Sequence, residues 1–153
     1  MSWRYPPAAV LDARLPLEQP SLTVYFDGSC PLCQAEIGAY RRQDATGNIC
    51  FRDVSRSEAA PAPDLTRQQA MQRFHVRRGD GSMLSGAAAF VALWAGLPGW
   101  RWLARLAALP GVLGLLEAGY RLFLPVRPIV SKLFARAQAI SHGAARDKAA
   151  RGS

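Results

Sequence analysis

At 153 residues and 16.6 kDa the chain has room for one domain built on one real core. Half of its residues are hydrophobic and a fifth are charged, which excludes a wholly disordered or fibrous chain. Three cysteines cannot staple a disulfide-rich mini-fold, and an odd count suits a reducing compartment.

Residues 1–20 hold four prolines and no apolar period, and read as a disordered leader. Prolines and charges stand where a signal peptide needs an unbroken apolar stretch, so a cytoplasmic location is expected. Leu22-Thr23-Val24-Tyr25-Phe26 is short, β-branched and aromatic, and predicts a buried strand that turns at Asp27-Gly28. Ser29-Cys30-Pro31 then predicts a helix start, with serine as cap and proline in the first turn. Cys33, Ile37 and Tyr40 share one face of that helix, which should run to about Gln43 and stop near Gly47.

A second strand is expected at Ile49–Val54, then a Ser/Ala/Pro loop to Asp64 and a short helix near Thr66–Arg73. Phe74–Val76 and Ser82–Ser85, joined by Gly79-Asp80-Gly81, read as a β-hairpin. Gly86–Trp94 opens another helix. That order predicts an α/β domain over residues 21–96. Beyond it lies a helical extension (97–140), cut by Leu97-Pro98-Gly99, Leu109-Pro110-Gly111 and Pro125…Pro128. A last amphipathic helix is expected from Ile129, and a frayed basic tail over 141–153.

Charge is uneven along this order. Residues 1–90 carry +1, whereas residues 91–153 carry +7, with Glu117 and Asp147 the sole acids of that stretch. Such asymmetry suits either a solvated basic face or an acidic partner. Ser82–Trp100 is free of charge for nineteen residues, close to a membrane span, but it begins in a strand and ends at a Pro-Gly break. Helices packed on the sheet are the expected arrangement, with peripheral contact of one face with a membrane surface as one option for the basic third. No Gly-rich phosphate loop, Ser/His/Asp pattern or nucleic-acid motif occurs.

Cys30-Pro31-Leu32-Cys33 is the sharpest chemical feature. A thiol attacks as thiolate, and a helix N-terminus favours that anion through its unpaired N–H groups and dipole. Cys30 is therefore the expected nucleophile, at the open mouth of the helix. Cys33, one turn on, is placed to resolve a mixed disulfide. Asp27, three residues before Cys30, has two readings: proton acceptor for Cys33, or acceptor that shapes the Asp-Gly-Ser turn. Cys50, between Ile49 and Phe51, is expected to be shielded in the core, and His75 to face partly outward. Trp94, Trp100 and Trp102 beside Arg101 and Arg105 fit core packing as well as an interfacial patch. The rival to redox chemistry is a non-catalytic binding module, with Cys30, Cys33, Cys50 and His75 as a zinc set or the pair as a redox sensor.

Val24-Tyr25-Phe26-Asp27-Gly28-Ser29-Cys30-Pro31-Leu32-Cys33 resembles the opening signature of the DCC family of thiol–disulfide oxidoreductases. The likeness continues through Tyr40-Arg41-Arg42, Phe51–Ser55, Phe74-His75-Val76, Ser85–Phe90 and Leu109-Pro110-Gly111, covering roughly residues 22–135. It implies a thioredoxin-like fold, a redox-active cysteine pair, no bound organic cofactor, and a disulfide-containing protein or small thiol as substrate. One departure is plain. Thioredoxin-like enzymes carry a cis-proline before the strand that here starts near Phe74, and residues 68–73 contain no proline.

Overall fold

The computed structural model describes residues 21–151, and side chains as far as His142; the expected leader at 1–20 lies outside the described residues. Strand β1 (Leu22–Phe26) leads into helix α1 (Pro31–Gln43), strand β2 (Ile49–Asp53) and the short helix α2 (Arg67–Gln72). Strands β3 (His75–Arg78) and β4 (Met83–Ser85) form the expected hairpin, followed by α3 (Ala87–Gly96), a 3-10 turn (Pro98–Trp100), α4 (Arg101–Ala107) and α5 (Val112–Arg151). The sheet order is β2-β1-β3-β4, with β1 parallel to β2 and antiparallel to β3. The central strands therefore bury both faces, and β2 and β4 are edges.

Alternation along the strands sorts side chains to the two faces. Leu22, Val24, Phe26 and Val76 meet Ile37 and Tyr40 of α1 and Ala89, Ala92 and Leu93 of α3. Val24, Val76, Leu93 and Leu97 are the largest fully buried side chains, and each contributes about 1.5–3 kcal/mol by leaving water. Tyr25 turns the other way, onto Val54, Leu65 and Ala70 of the β2–α2 region. Thr66 and Gln69 close a capping box on α2: Thr66 Oγ1 accepts from the Gln69 N–H, and the Gln69 side chain accepts from the Thr66 N–H.

The C-terminal part departs from the sequence reading. Pro125 and Pro128 do not break the chain; both lie inside the 40-residue helix α5. Each interior proline deletes a backbone donor at a cost of about 3 kcal/mol, so side-chain docking must hold α5. Glu117 does much of this. It pairs with Arg73 at 2.6 Å and accepts from the Ala87 N–H at 3.0 Å, and Tyr120 accepts from the Phe74 N–H at 2.9 Å. Gly86 permits that approach: it has φ +63°, and a Cβ there would lie 2.5 Å from a Glu117 carboxylate oxygen. Helix α5 extends to Arg151, into the stretch expected as a frayed tail (141–153), where the alanines at 144 and 145 favour helix; residues 152–153 lie outside the described residues. Among the described residues no single helix is long and apolar enough to cross a membrane; Pro98–Ala107 and Val112–His142 pass that test only as a pair bent by 103°.

Candidate active site

The β1–α1 junction is built by two aspartates. Asp27 Oδ1 accepts from the N–H of Ser29 at 2.9 Å and from its hydroxyl, the turn-shaping geometry expected of Asp-Gly-Ser. Asp53, at the end of β2, accepts from the Gly28 N–H at 3.0 Å. A Cβ at residue 28 would sit 2.0 Å from that carboxylate, so the glycine of the motif is a steric requirement. The helix cap is Cys30 rather than Ser29: Cys30 is the last extended residue, Pro31 opens the helix, and Cys30 Sγ accepts from the Cys33 N–H at 3.4 Å. Ser29 stands one residue ahead of the cap position, and its hydroxyl donates to Asp27.

Helix α5 closes over this junction. Its Ser131 hydroxyl lies 3.4 Å from Cys30 Sγ. Its Arg127 donates through one nitrogen to both Cys33 Sγ and Asp27 Oδ2 at 3.1 Å, and through the other to the Met71 carbonyl at 3.3 Å. The Arg127 and Asp27 side chains are 17% and 14% exposed. Asp27 thus shapes the turn with one oxygen and anchors Arg127 with the other. Sequence reasoning missed Arg127 and Ser131. The only signal was their spacing of four on a face shared with Tyr120, Phe123 and Leu124, a period that the prolines appeared to interrupt.

The two thiols are opposed in acidity. Burial pushes Cys30 up, but hydrogen bonds from Cys33, Ser131 and Arg127 outweigh it and leave Cys30 below the ordinary thiol value. Burial pushes Cys33 up to about 12, helped by its role as donor to Cys30 and only partly countered by the Arg127 charge. Cys30 is not the open thiol that the sequence suggested. The lid of α5 leaves it 8% exposed, while Cys33 is half-buried but has more protein around it.

The cysteines open onto different spaces. Cys33 lines an apolar cavity of about 480 Å³, with Phe26, Phe74, Phe90, Phe123 and Phe134 in its walls. Glu36, one turn beyond Cys33, also lines it and accepts from Tyr40 Oη at 2.8 Å; burial raises its pKa. Cys30 instead borders a groove of about 780 Å³ between the end of α2 and the Leu124–Lys132 stretch of α5. Arg127 lines both.

The zinc set is not assembled: among the described residues no three His, Cys, Asp or Glu side chains gather as a metal site. Cys50 is exposed on the edge strand β2, correcting its expected place in the core. Alternation explains it, because Ile49 points inward and its neighbour must point out. His75 is buried on the central strand β3, where it contacts the Arg73 carbonyl at 2.8 Å through Nδ1. It was expected to face outward, but α2 and its loop cover that second sheet face. Burial holds its pKa below the ordinary histidine value.

This geometry coincides with a family signature. The model of the DCC1-like thiol-disulfide oxidoreductase family matches residues 24–133, from the middle of β1 to two residues beyond Ser131. The chain belongs to that family. The four-stranded sheet with its flanking helices is the thioredoxin-like fold that the resemblance implied, and the family identifies the chain as a thiol–disulfide oxidoreductase at that general level. No curated protein and no solved structure matches it. The matched span takes in both cysteines and also Arg127 and Ser131, so the α5 lid is part of the family unit. No cis peptide occurs among the described residues; the backbone ahead of β3 instead ends in Arg73 and Phe74, both clamped by α5.

Proposed function

We propose that this DCC1-like protein cycles Cys30 and Cys33 between dithiol and disulfide while reducing a disulfide in a protein or a small thiol compound, in the cytoplasm. Cys30 thiolate attacks one sulfur of the substrate disulfide from the groove beside α5, and the other sulfur leaves as thiolate and takes a proton from solvent. Cys33 then loses its proton and attacks Cys30 Sγ. This expels the second substrate sulfur and leaves the Cys30–Cys33 disulfide, which an external thiol reductant returns to the dithiol. Two electrons pass from the pair to the substrate.

The observation that carries this reading is the placement of donors around two sulfurs one helical turn apart. Cys30 Sγ receives the Cys33 N–H and faces the Ser131 hydroxyl, whereas Cys33 Sγ receives the Arg127 guanidinium. Attack at Cys30 is favoured at rest, and the Arg127 charge supports Cys33 when it must become thiolate. Asp27 acts by holding Arg127. Because Asp27 already serves Ser29 and Arg127, it is a positioning residue here rather than the proton acceptor.

Alkylation as a function of pH, read separately for each cysteine by mass spectrometry, tests the reading. Cys30 should label with a midpoint below that of an ordinary thiol and Cys33 only in strong base. A Cys33→Ser variant should accumulate a mixed disulfide through Cys30. A common midpoint for both thiols, or disulfide reduction at the parental rate by Cys30→Ser, would overturn it.

A further inference from the structure

Every large hydrophobic side chain exposed among the described residues lies in α4, α5 or the turn between them. The sheet and α1–α3 contribute none. Besides Leu113 and Val130, those described on α5 are Leu115, Leu122, Val126, Ile129, Leu133 and Ile140, which follow one another at intervals of seven, four, three, four and seven. That is the period of a single helix face. Leu115, Leu122 and Ile140 are more than 70% exposed, at 73%, 76% and 73%. The opposite face carries Tyr120, Arg127 and Ser131, packed on the cysteine pair and on Phe74 just ahead of β3. Docking on the sheet therefore accounts for one side of α5 and leaves a continuous apolar stripe on the other. Trp102 and Leu106 of α4 are exposed as well, at 59% and 48%.

Charge decides what covers it. Arg121, Lys132 and Arg136 fall along one flank of the stripe, by the same helical spacing. The sole acid between residues 91 and 146 is Glu117, and it is engaged by Arg73 and Arg121. A second copy laid along the stripe would set these cations against their own kind with no acid between residues 91 and 146 left to pair them, and like charges at a helix seam are unfavourable. An anionic lipid surface offers both apolar depth and negative charge.

We infer that the outer face of α4–α5 docks on an anionic lipid surface, with α5 lying in the interface and its apolar stripe turned into the headgroup boundary. The 103° bend between the two helices suits a surface-lying arrangement, since neither helix alone is apolar enough to span. Docking of this kind leaves the sheet on the solvent side of α5 and holds the cysteine pair one helix thickness from the lipid. It rests on exposed residues that the redox proposal does not use, so either can fail without the other.

Co-sedimentation of the full chain with phosphatidylcholine vesicles, with and without phosphatidylglycerol, tests the inference. The protein should pellet with the anionic vesicles at low salt. Binding should fall about tenfold or more on neutral vesicles and at high ionic strength. The triple variant Leu122→Asp/Ile129→Asp/Leu133→Asp should lose binding while its per-cysteine alkylation pattern stays parental, which shows that α5 is still docked. If that variant fails to fold, Lys132→Gln/Arg136→Gln, which leaves the stripe intact, should weaken binding about tenfold. Recovery of the parent in the supernatant under all conditions overturns the inference. So does parental binding by the charge variant, or a solution dimer that the triple substitution dissociates.

Discussion

Replacing Arg127 with glutamine removes the cation that touches Cys33, and the structure sets the size of the effect. The guanidinium sits 3.1 Å from both Cys33 Sγ and Asp27 Oδ2. Losing an opposite charge at that range moves a thiol pKa upward by about one to two, from a Cys33 value already near 12. The thiolate fraction then falls about ten- to hundredfold. A more basic thiolate is also a better nucleophile, with a Brønsted slope of about 0.4–0.5, which recovers nearly half of the logarithmic loss. Resolution of a Cys30 mixed disulfide should therefore slow by about four- to tenfold. Breaking a buried ion pair costs about 3–5 kcal/mol, but the remaining exposure of both partners lets solvent screen the charge left behind, so about 1–3 kcal/mol of stability should go as well. Stopped-flow release of a chromogenic thiol from the pre-formed mixed disulfide, from pH 6 to 9, measures the rate. Arg127→Lys keeps the charge without the fork that reaches Asp27, Cys33 and the Met71 carbonyl together, and should fall between. A folded Arg127→Gln protein that resolves at the parental rate with the parental pH dependence would refute the assignment.

Exposed Cys50 should alkylate in the native protein, and Cys50→Ala should change the unfolding free energy by no more than about 0.5 kcal/mol while leaving disulfide reduction within about two-fold; native-state labelling, urea titration and a disulfide-reduction assay check these. Glu117→Gln should loosen α5 by about 1–2 kcal/mol at neutral pH, through loss of charge-assisted bonds to Arg73, Arg121 and the Ala87 N–H. The hydrogen bonds from Arg73 and Ala87 hold the Glu117 pKa down to about 2. Its contribution is therefore complete above the ordinary carboxylate range and is lost as pH falls towards 2. The urea midpoint of the variant should converge on that of the parent in acid, and a constant gap at every pH would sink the idea.

The sheet and its first three helices were legible because each signal there is local. Hydrophobic runs bounded by Asp-Gly, Gly79-Asp80-Gly81 and proline-rich loops mark β1, the hairpin and α1, and the Cys-x-x-Cys spacing carries its own chemistry. What escaped was set by distant partners. Pro125 and Pro128 are break signals by local propensity, yet α5 persists because Glu117, Tyr120 and Arg127 tie it to β3, α3 and the active site. Cys50 was misjudged from its apolar neighbours, although the alternation that buries Ile49 sends it outward. His75 was misjudged because nothing within β3 reveals that α2 covers the second face of the sheet. Asp27 had two readings that local sequence could not separate, and its contact with Arg127 lies a hundred positions away.

That separation has a consequence for the protein's birth. The ribosome delivers Cys30 and Cys33 long before Arg127 and Ser131, which follow Asp27 and Cys30 by 100 and 101 residues. At about 5–20 residues per second the pair spends roughly 5–20 s as two ordinary thiols on an unfinished chain. The share of their unequal acidity owed to Ser131 and Arg127, and the lid over Cys30, come into being only when the last helix arrives. A nascent chain therefore carries the pair without the Ser131 and Arg127 donors, and cleavage ahead of α5 would strip the finished protein of the same two groups.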